Sequence, residues 1–287
     1  MENLLLLYYG IITNYIYKKK TKFYFKYNDN IYILEELQTG YDLNTLEYLK
    51  YDSDYYKVVR NKYGDYVTKI YSNNYVLLEK SNSKRNIYDN IIDNLKRPVD
   101  NIKNNKADWI ELWTKKLDYY ESLPIITSNY KIINESLKYY IGMGETAISY
   151  IKYNFINRKE QMVISHKRIN LEDYYNPVNT IVDYRPRDIA EFLKTIFLNG
   201  DYKKNDIITM FEKMDFNQNE YILLYGRMLF PNFYFDIIDQ VINNKKEEKE
   251  IYKIVAASSE YEFFLNKIYE IICRKIKIPK INWILKY

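Results

Sequence analysis

The hydrophobic period of this chain changes once, near residue 107, and that change bounds what it can fold into. Upstream, the apolar and aromatic residues come in short runs. Asn14–Tyr17, Lys22–Tyr27 and Ile31–Leu34 are separated by Lys18–Thr21 and Asn28-Asp29-Asn30. Tyr55–Val59, Tyr66–Ile70 and Tyr75–Leu78 are separated by Gly64-Asp65 and Asn73-Asn74. Runs of this length, rich in Ile, Tyr and Phe and bounded by Asn, Asp and Gly, predict strands joined by turns. Between the two groups, Leu43, Leu46 and Leu49 fall at helical spacing behind Asp42, a good N-cap. Residues 1–80 therefore predict a small antiparallel sheet carrying one helix. Residues 81–106 are polar and rich in Asn and Lys, with a break at Pro98, and read as a connector holding a short helix near Tyr88–Leu95.

Residues 107–287 read as a larger, mostly helical lobe. Trp109, Leu112, Trp113, Leu117 and Tyr120 step by three and four, which places them on one helical face. A long helix over about 130–153 contains Gly142-Met143-Gly144. Each internal glycine costs about 1 kcal/mol relative to alanine, so close contacts are expected there, and Gly144, Ala147 and Ile151 would let another backbone approach. Met162–Ser165 and Thr180–Val182 are short strands flanking a loop that carries His166 and Arg168. Beyond Pro186 a helix starts cleanly, with proline and Asp188 in its first turn and a stripe of Ile189, Phe192, Leu193, Ile196 and Phe197. Arg187 and Glu191 are spaced for an i,i+4 pair. Further helices are expected over 207–214, 220–229, 234–243 and 248–276, with Pro231 and Pro279 as stops.

Composition excludes several classes of function. With 287 residues, 47% hydrophobic and 28% charged, the chain can bury a core without staples. The 43 basic and 38 acidic residues leave a charge of only +5, which is not a nucleic-acid footprint, and no reader motif accompanies it. The lone Cys273 excludes a disulfide framework and a zinc knuckle. Tyr occurs 35 times and Arg only nine, the usage expected of A/T-rich coding, so aromatic abundance is weak evidence of an interface. Leu4–Leu7 lacks the basic flank of a signal peptide, and no run reaches the roughly 20 apolar residues of a membrane span. An intracellular protein is expected.

A sheet-plus-helix lobe, a connector and a helical lobe interrupted by a strand–His–loop–strand–Asp unit outline an α+β, protein-kinase-like two-lobe fold. Four ordered blocks sharpen the likeness: Trp109–Trp113 with Leu117, Ser136–Tyr150 with Gly142, Gly144 and Glu145, Ser165–Ile169, and Arg187–Phe192. They resemble the spore-coat CotS/YutH-like family, related to the aminoglycoside and choline kinases. The resemblance implies a component of the endospore coat, made in the mother-cell cytoplasm and deposited on the spore. Its expected partners are other coat or envelope proteins, with no nucleic acid and no transmembrane segment.

Phosphoryl transfer needs a carboxylate at the nucleophile, a carboxylate and an amide on magnesium, and a lysine on the triphosphate. The active relatives carry His-Gly-Asp followed by Asn. Here the matching positions hold His166-Lys167-Arg168, with Asp173 in place of the Asn, and a guanidinium cannot accept a proton. Asp183 resembles the metal-binding Asp, followed by Tyr184-Arg185-Pro186. The strand Ile31–Leu34 has no lysine, Lys18-Lys19-Lys20-Thr21 has no glycine for phosphate approach, and Glu47 lacks a partner. The expectation is a catalytically inactive kinase-like protein with no cofactor. Asp173 and Asp183 are weak metal candidates. Gly142, Gly144, Glu145, Arg187, Asp188 and Glu191 are structural, with Arg187 and Asp188 bracing the former catalytic loop. The alternative is an active small-molecule phosphotransferase of the aminoglycoside/choline-kinase type using ATP and magnesium.

Overall fold

The alternating runs of the first third fold as strands. A computed structural model describes residues 1–19, 21–37, 56–81, 86–99, 108–123, 129–156, 160–169 and 174–284. The chain divides into two compact units, one of residues 1–90 with 164–182 and the other of 91–163 with 183–287.

The first unit is built on an antiparallel sheet of β1 (Ile16–Lys19), β2 (Lys22–Tyr27), β3 (Asn30–Leu37), β4 (Tyr56–Val59), β5 (Val67–Ile70) and β6 (Asn73–Lys80). The order is β1-β2-β3-β6-β4, with β5 also on β6. The tight turn between β2 and β3 places Asn28 and Asp29 at positive φ, which these residue types tolerate. Because side chains alternate along a strand, the register sorts them into two faces. One face gathers Phe25, Tyr32, Leu34, Tyr75 and Leu77 beneath Leu5 and Ile11. The other gathers Ile33, Leu37, Tyr56, Val76 and Leu78 against Val178 of the returning segment.

Three details differ from the sequence reading. The opening apolar run is a helix, α1 (Glu2–Tyr9), closed by Gly10 at φ 67° and anchored by the buried Leu5. The first strand lies two residues later than expected and takes in Lys18 and Lys19, because pairing with β2 sets its length. The third strand runs on to Leu37 and so includes Glu35 and Glu36. The helix expected over 42–49, Glu47 included, lies outside the described residues.

Helix α2 (Ile87–Asn94) follows, and then the helical unit, with α3 (Trp109–Glu121), α4 (Lys131–Asn154), α5 (Pro186–Asn199), α6 (Lys204–Lys213), α7 (Gln218–Leu229), α8 (Asn232–Ile242), α9 (Lys249–Ala256) and α10 (Ser258–Cys273). The strands β7 (Met162–His166) and β8 (Thr180–Tyr184) form a two-stranded sheet. Asp108 caps α3 by accepting the Glu111 N–H at 3.0 Å, and Trp109, Trp113, Leu117 and Tyr120 are its buried stripe. Leu112 was expected on that stripe but is 60% exposed, since it falls a quarter-turn off it. Helix α7, started by an Asn217–Glu220 capping box, is buried on every side and is the central element of this unit.

The expected helix over 248–276 is two helices. Ala257 turns out of helical geometry at ψ 4°, and its N–H caps the carbonyls of Lys253 and Val255. No glycine or proline marks that break, so periodicity alone runs through it.

The glycines of α4 divide. A Cβ on Gly144 would lie 2.9 Å from a Leu117 methyl and 3.4 Å from the Phe230 ring, whereas one on Gly142 would meet nothing. The close neighbours of Gly144 are therefore side chains, as in plain core packing, and Gly142 has no such contact. Gly226 in α7 is tighter, with Ile151 at 2.5 Å.

Candidate functional site

The loop between β7 and β8 carries the residues expected at the catalytic base. His166 ends β7 and is buried, its ring stacked on Tyr174 with centroids 4.1 Å apart. Arg168 is exposed, and its Nη1 donates to the Lys167 carbonyl at 2.8 Å. Asn179 pins the same residue by donating to the Arg168 carbonyl at 2.6 Å. The base position is therefore a surface cation folded back on its own loop. Lys167 donates to the Val178 carbonyl at 3.2 Å, and burial lowers its pKa against the opposing pull of Glu35. Asp173 lies outside the described residues.

Glu35 is the residue that the sequence reading missed. It sits on β3 between the inward-facing Ile33 and Leu37, and its carboxylate is buried. Asn176 donates to it at 2.7 Å, and Lys22, opposite it in the register on β2, reaches it at 3.4 Å. Asn176 also receives the Val178 N–H at 3.0 Å, starting the 3-10 turn Pro177–Asn179. The third strand thus presents a buried anion to the loop, where a phosphotransferase needs a cation for triphosphate. The signal was the alternation Ile33-Glu35-Leu37, an acid at an inward position.

Asp183, a weak metal candidate by its resemblance to the metal-binding Asp, lies wholly inside the helical unit. The chain leaves β8 and enters α5 within two residues, Pro186 supplying the first helical position. That tight passage puts Asp183 and Arg187 one helical turn apart. Both Asp183 oxygens are engaged. Oδ1 accepts the Trp109 indole N–H at 2.9 Å and the Tyr184 N–H at 2.7 Å; Oδ2 accepts the same indole at 3.2 Å and forms an ion pair with Arg187. Asp183 is 0% exposed. Its carboxylate is the counter-ion of a guanidinium.

The remaining structural candidates surround this pair. Arg187 meets Asp183, and Glu191 receives Arg227 Nε at 2.9 Å, Lys194 at 3.0 Å and Asn232 at 2.9 Å. Arg227 in turn lies over Trp109, 4.5 Å from the ring centroid, so the two clusters are continuous. Arg185 donates to Glu220 at 2.9 Å, Asp215 at 2.5 Å and the Leu95 carbonyl at 3.0 Å. Burial raises the Glu220 carboxyl despite that partner. Asp188 is buried in the first turn of α5, and Glu145 is exposed on α4. Among the described residues, no group of three or more His, Cys, Asp or Glu could hold a metal ion.

Comparison with known proteins places this arrangement. The family described as "Spore coat putative kinase YutH" matches residues 2–268. The chain belongs to the spore coat YutH family. It is 26% identical over 223 residues to the endospore coat-associated protein YutH of Bacillus subtilis (strain 168), covering 63% of this chain and spanning 62% of that relative's length. Among solved structures, an aminoglycoside phosphotransferase from Alicyclobacillus acidocaldarius superposes with a TM-score of 0.66 at 8% identity, covering 91% of this chain and 93% of that one. Spectinomycin phosphotransferase APH(9)-Ia, solved with ADP and spectinomycin, gives 0.61 at 9% identity, covering 99% and 95%. At these identities the likeness is one of fold. This YutH-family chain has the two-lobe kinase-like architecture, and no described helix is long and apolar enough to cross a membrane.

Proposed function

We propose that this chain is a catalytically inactive kinase-like protein that serves as a structural and assembly component of the endospore coat. It is made in the mother-cell cytoplasm, is deposited on the spore, and docks other coat or envelope proteins rather than nucleic acid. It needs neither ATP nor magnesium. The observation that carries this reading is the engagement of Asp183 by Trp109, Tyr184 and Arg187. A carboxylate that neutralises a buried guanidinium and accepts hydrogen bonds on both oxygens is already committed as a counter-ion. Arg168 at the base position and the buried Glu35 on β3 point the same way, since one cannot take a proton and the other repels a triphosphate.

The test is turnover. The purified full-length chain, incubated with ATP and magnesium alone and with aminoglycoside or amino-alcohol acceptors, should release no phosphate above a buffer control. It should still be recovered in the coat fraction of spores. Magnesium-dependent turnover that is lost in Asp183→Asn, with the fold retained, would overturn the proposal and establish a phosphotransferase.

A further inference from the structure

Strand β1 is an outer edge of the first unit's sheet, with β2 on one side of it. Every second residue of an edge strand turns its N–H and C=O away from the sheet. Among the described residues, the backbone of Ile16–Lys19 bonds to no backbone but that of β2. An unpaired ladder of this kind is what an extended segment of another chain adds to. The side chains define which segment fits. Residues 16–27 hold Lys18, Lys19, Lys20, Lys22 and Lys26 and no Asp or Glu. Lys18 and Lys19 are exposed at the open edge. That charge disfavours a second copy, because pairing β1 with itself would gather the lysines of both chains around a four-residue ladder, the device by which lysine guards an edge against self-association. An acidic strand meets the opposite condition, since opposite charges directly across a ladder attract.

The edge also has a seat for a side chain. Ile16 packs with the cluster beneath α1, and alternation places Lys18 on that same side of the sheet. There a pocket of about 300 Å³ adjoins the edge, lined by Met1, Glu2, Asn3, Ile16, Lys18 and Phe23. Lys18 lies over the Phe23 ring, 5.2 Å from its centroid, so a cation and an apolar wall stand side by side at its mouth. In strand addition the shared ladder supplies affinity, and pockets for alternate side chains supply specificity. Glu35 is on the other face of the sheet and is balanced by Lys22 at 3.4 Å. Three strand spacings separate it from an added strand, about 14 Å, which is beyond the screening length of about 8 Å at physiological salt.

We propose that β1 is a docking edge for an extended acidic segment of a partner protein. The segment adds to the sheet as an antiparallel strand, sets acidic residues opposite Lys18 and Lys19, and places an apolar side chain opposite Ile16 in the pocket on the α1 side. This rests on the docking role proposed above and specifies its surface. Peptide binding is read apart from turnover and from recovery in the coat fraction, so either proposal can fail alone.

A fluorescein-labelled peptide of sequence Ser-Thr-Glu-Glu-Val-Ile-Thr-Ser, titrated with the full-length chain and read by anisotropy, tests this. Run antiparallel to β1, it sets its two acids opposite Lys19 and Lys18 and its isoleucine opposite Ile16. One saturable site is expected, weakening as salt rises. The same peptide N-methylated on its valine and isoleucine keeps its charge but cannot complete the ladder, and should bind about tenfold more weakly. Lys18→Glu should weaken the acidic peptide about tenfold and should prefer a peptide carrying lysine in place of both acids. Lys138→Glu, exposed on α4, should leave binding unaltered. Lys18 is solvent-exposed, and matched melting curves verify that each variant folds. Absence of saturation, equal affinity of the N-methylated peptide, full affinity in Lys18→Glu, equal weakening by Lys138→Glu, or a dimer of the chain that competes with the peptide each overturns the proposal.

Discussion

Replacing Asp183 by Asn separates a buried counter-ion from a metal ligand. The substitution keeps the shape of the side chain and one carbonyl acceptor for the Trp109 indole or the Tyr184 N–H, but removes the negative charge facing Arg187. Both residues are buried, the side chains being 1% and 10% exposed. Removing one partner of such a pair leaves a desolvated charge and costs about 3–5 kcal/mol. Against a total stability of about 5–15 kcal/mol for a domain, that is a large fraction. At about 2–4 °C per kcal/mol for a unit of this size, the melting temperature should fall by roughly 10 °C. Circular-dichroism melts of the parent, Asp183→Asn, Arg187→Met and the double variant form the cycle. Either single change should destabilise strongly, and the double variant should recover most of the loss because neither charge remains. If Asp183→Asn melts within 2 °C of the parent, the carboxylate is not holding Arg187, and the case against metal binding falls with it.

Substitutions elsewhere in the two units have equally definite outcomes. Gly142→Ala should raise stability by about 0.5–1 kcal/mol, because its Cβ meets nothing and alanine is the better helix former. Gly226→Ala should lower it by about 1–3 kcal/mol through the 2.5 Å approach of Ile151, both read by chemical denaturation. The buried Tyr225 hydroxyl has no hydrogen-bond partner among the described residues, so Tyr225→Phe should be neutral or stabilising, whereas Tyr120→Phe, losing bonds to the Phe235 carbonyl and Asp239, should cost about 1–2 kcal/mol. Lys167 has its pKa lowered by burial, so its protonated form is disfavoured in the folded state and stability rises with pH as it deprotonates below 10.5. Lys167→Met should therefore stabilise at pH 7 by an amount that shrinks as pH approaches 10.5, and an unchanging difference in melting temperature across that window would refute the assignment.

The sheet-bearing and helical parts were legible because strand and helix periods differ, but nothing local announced that residues 164–182 group with the sheet. The first-turn features of α5 were legible for the same local reason, Pro186 and Asp188 being first-turn residues. What escaped was decided by contacts remote in sequence. Trp109 and Asp183 meet across 74 residues, and no spacing announces it. Arg187 has an acid four residues away on either side, Asp183 and Glu191. Sequence favoured Glu191 because both would lie on one helix, and only the tight β8–α5 passage brings Asp183 into the same turn. Glu35 escaped because the third strand was ended at Leu34, before the acid that reverses the charge of that position. The break at Ala257 escaped because a carbonyl cap, not a helix-breaking residue, makes it.

The charges around α5 support the proposal that this core holds no metal. Asp183, Asp188 and Glu191 are buried in the helical unit with Arg187, Lys194 and Arg227, three anions with three cations. Buried charge is tolerated when it is paired and hydrogen-bonded, and here the balance closes without a further ion. A cation directed at Asp183 would find a single buried carboxylate already shared by Arg187, the Trp109 indole and the Tyr184 N–H, so Arg187 would have to move aside before a metal could coordinate. On the proposed reading, the arginine one turn past the strand occupies the place a cation would take, which makes Arg187→Met, not a change at Arg168, the first substitution in which magnesium-dependent stabilisation should be sought.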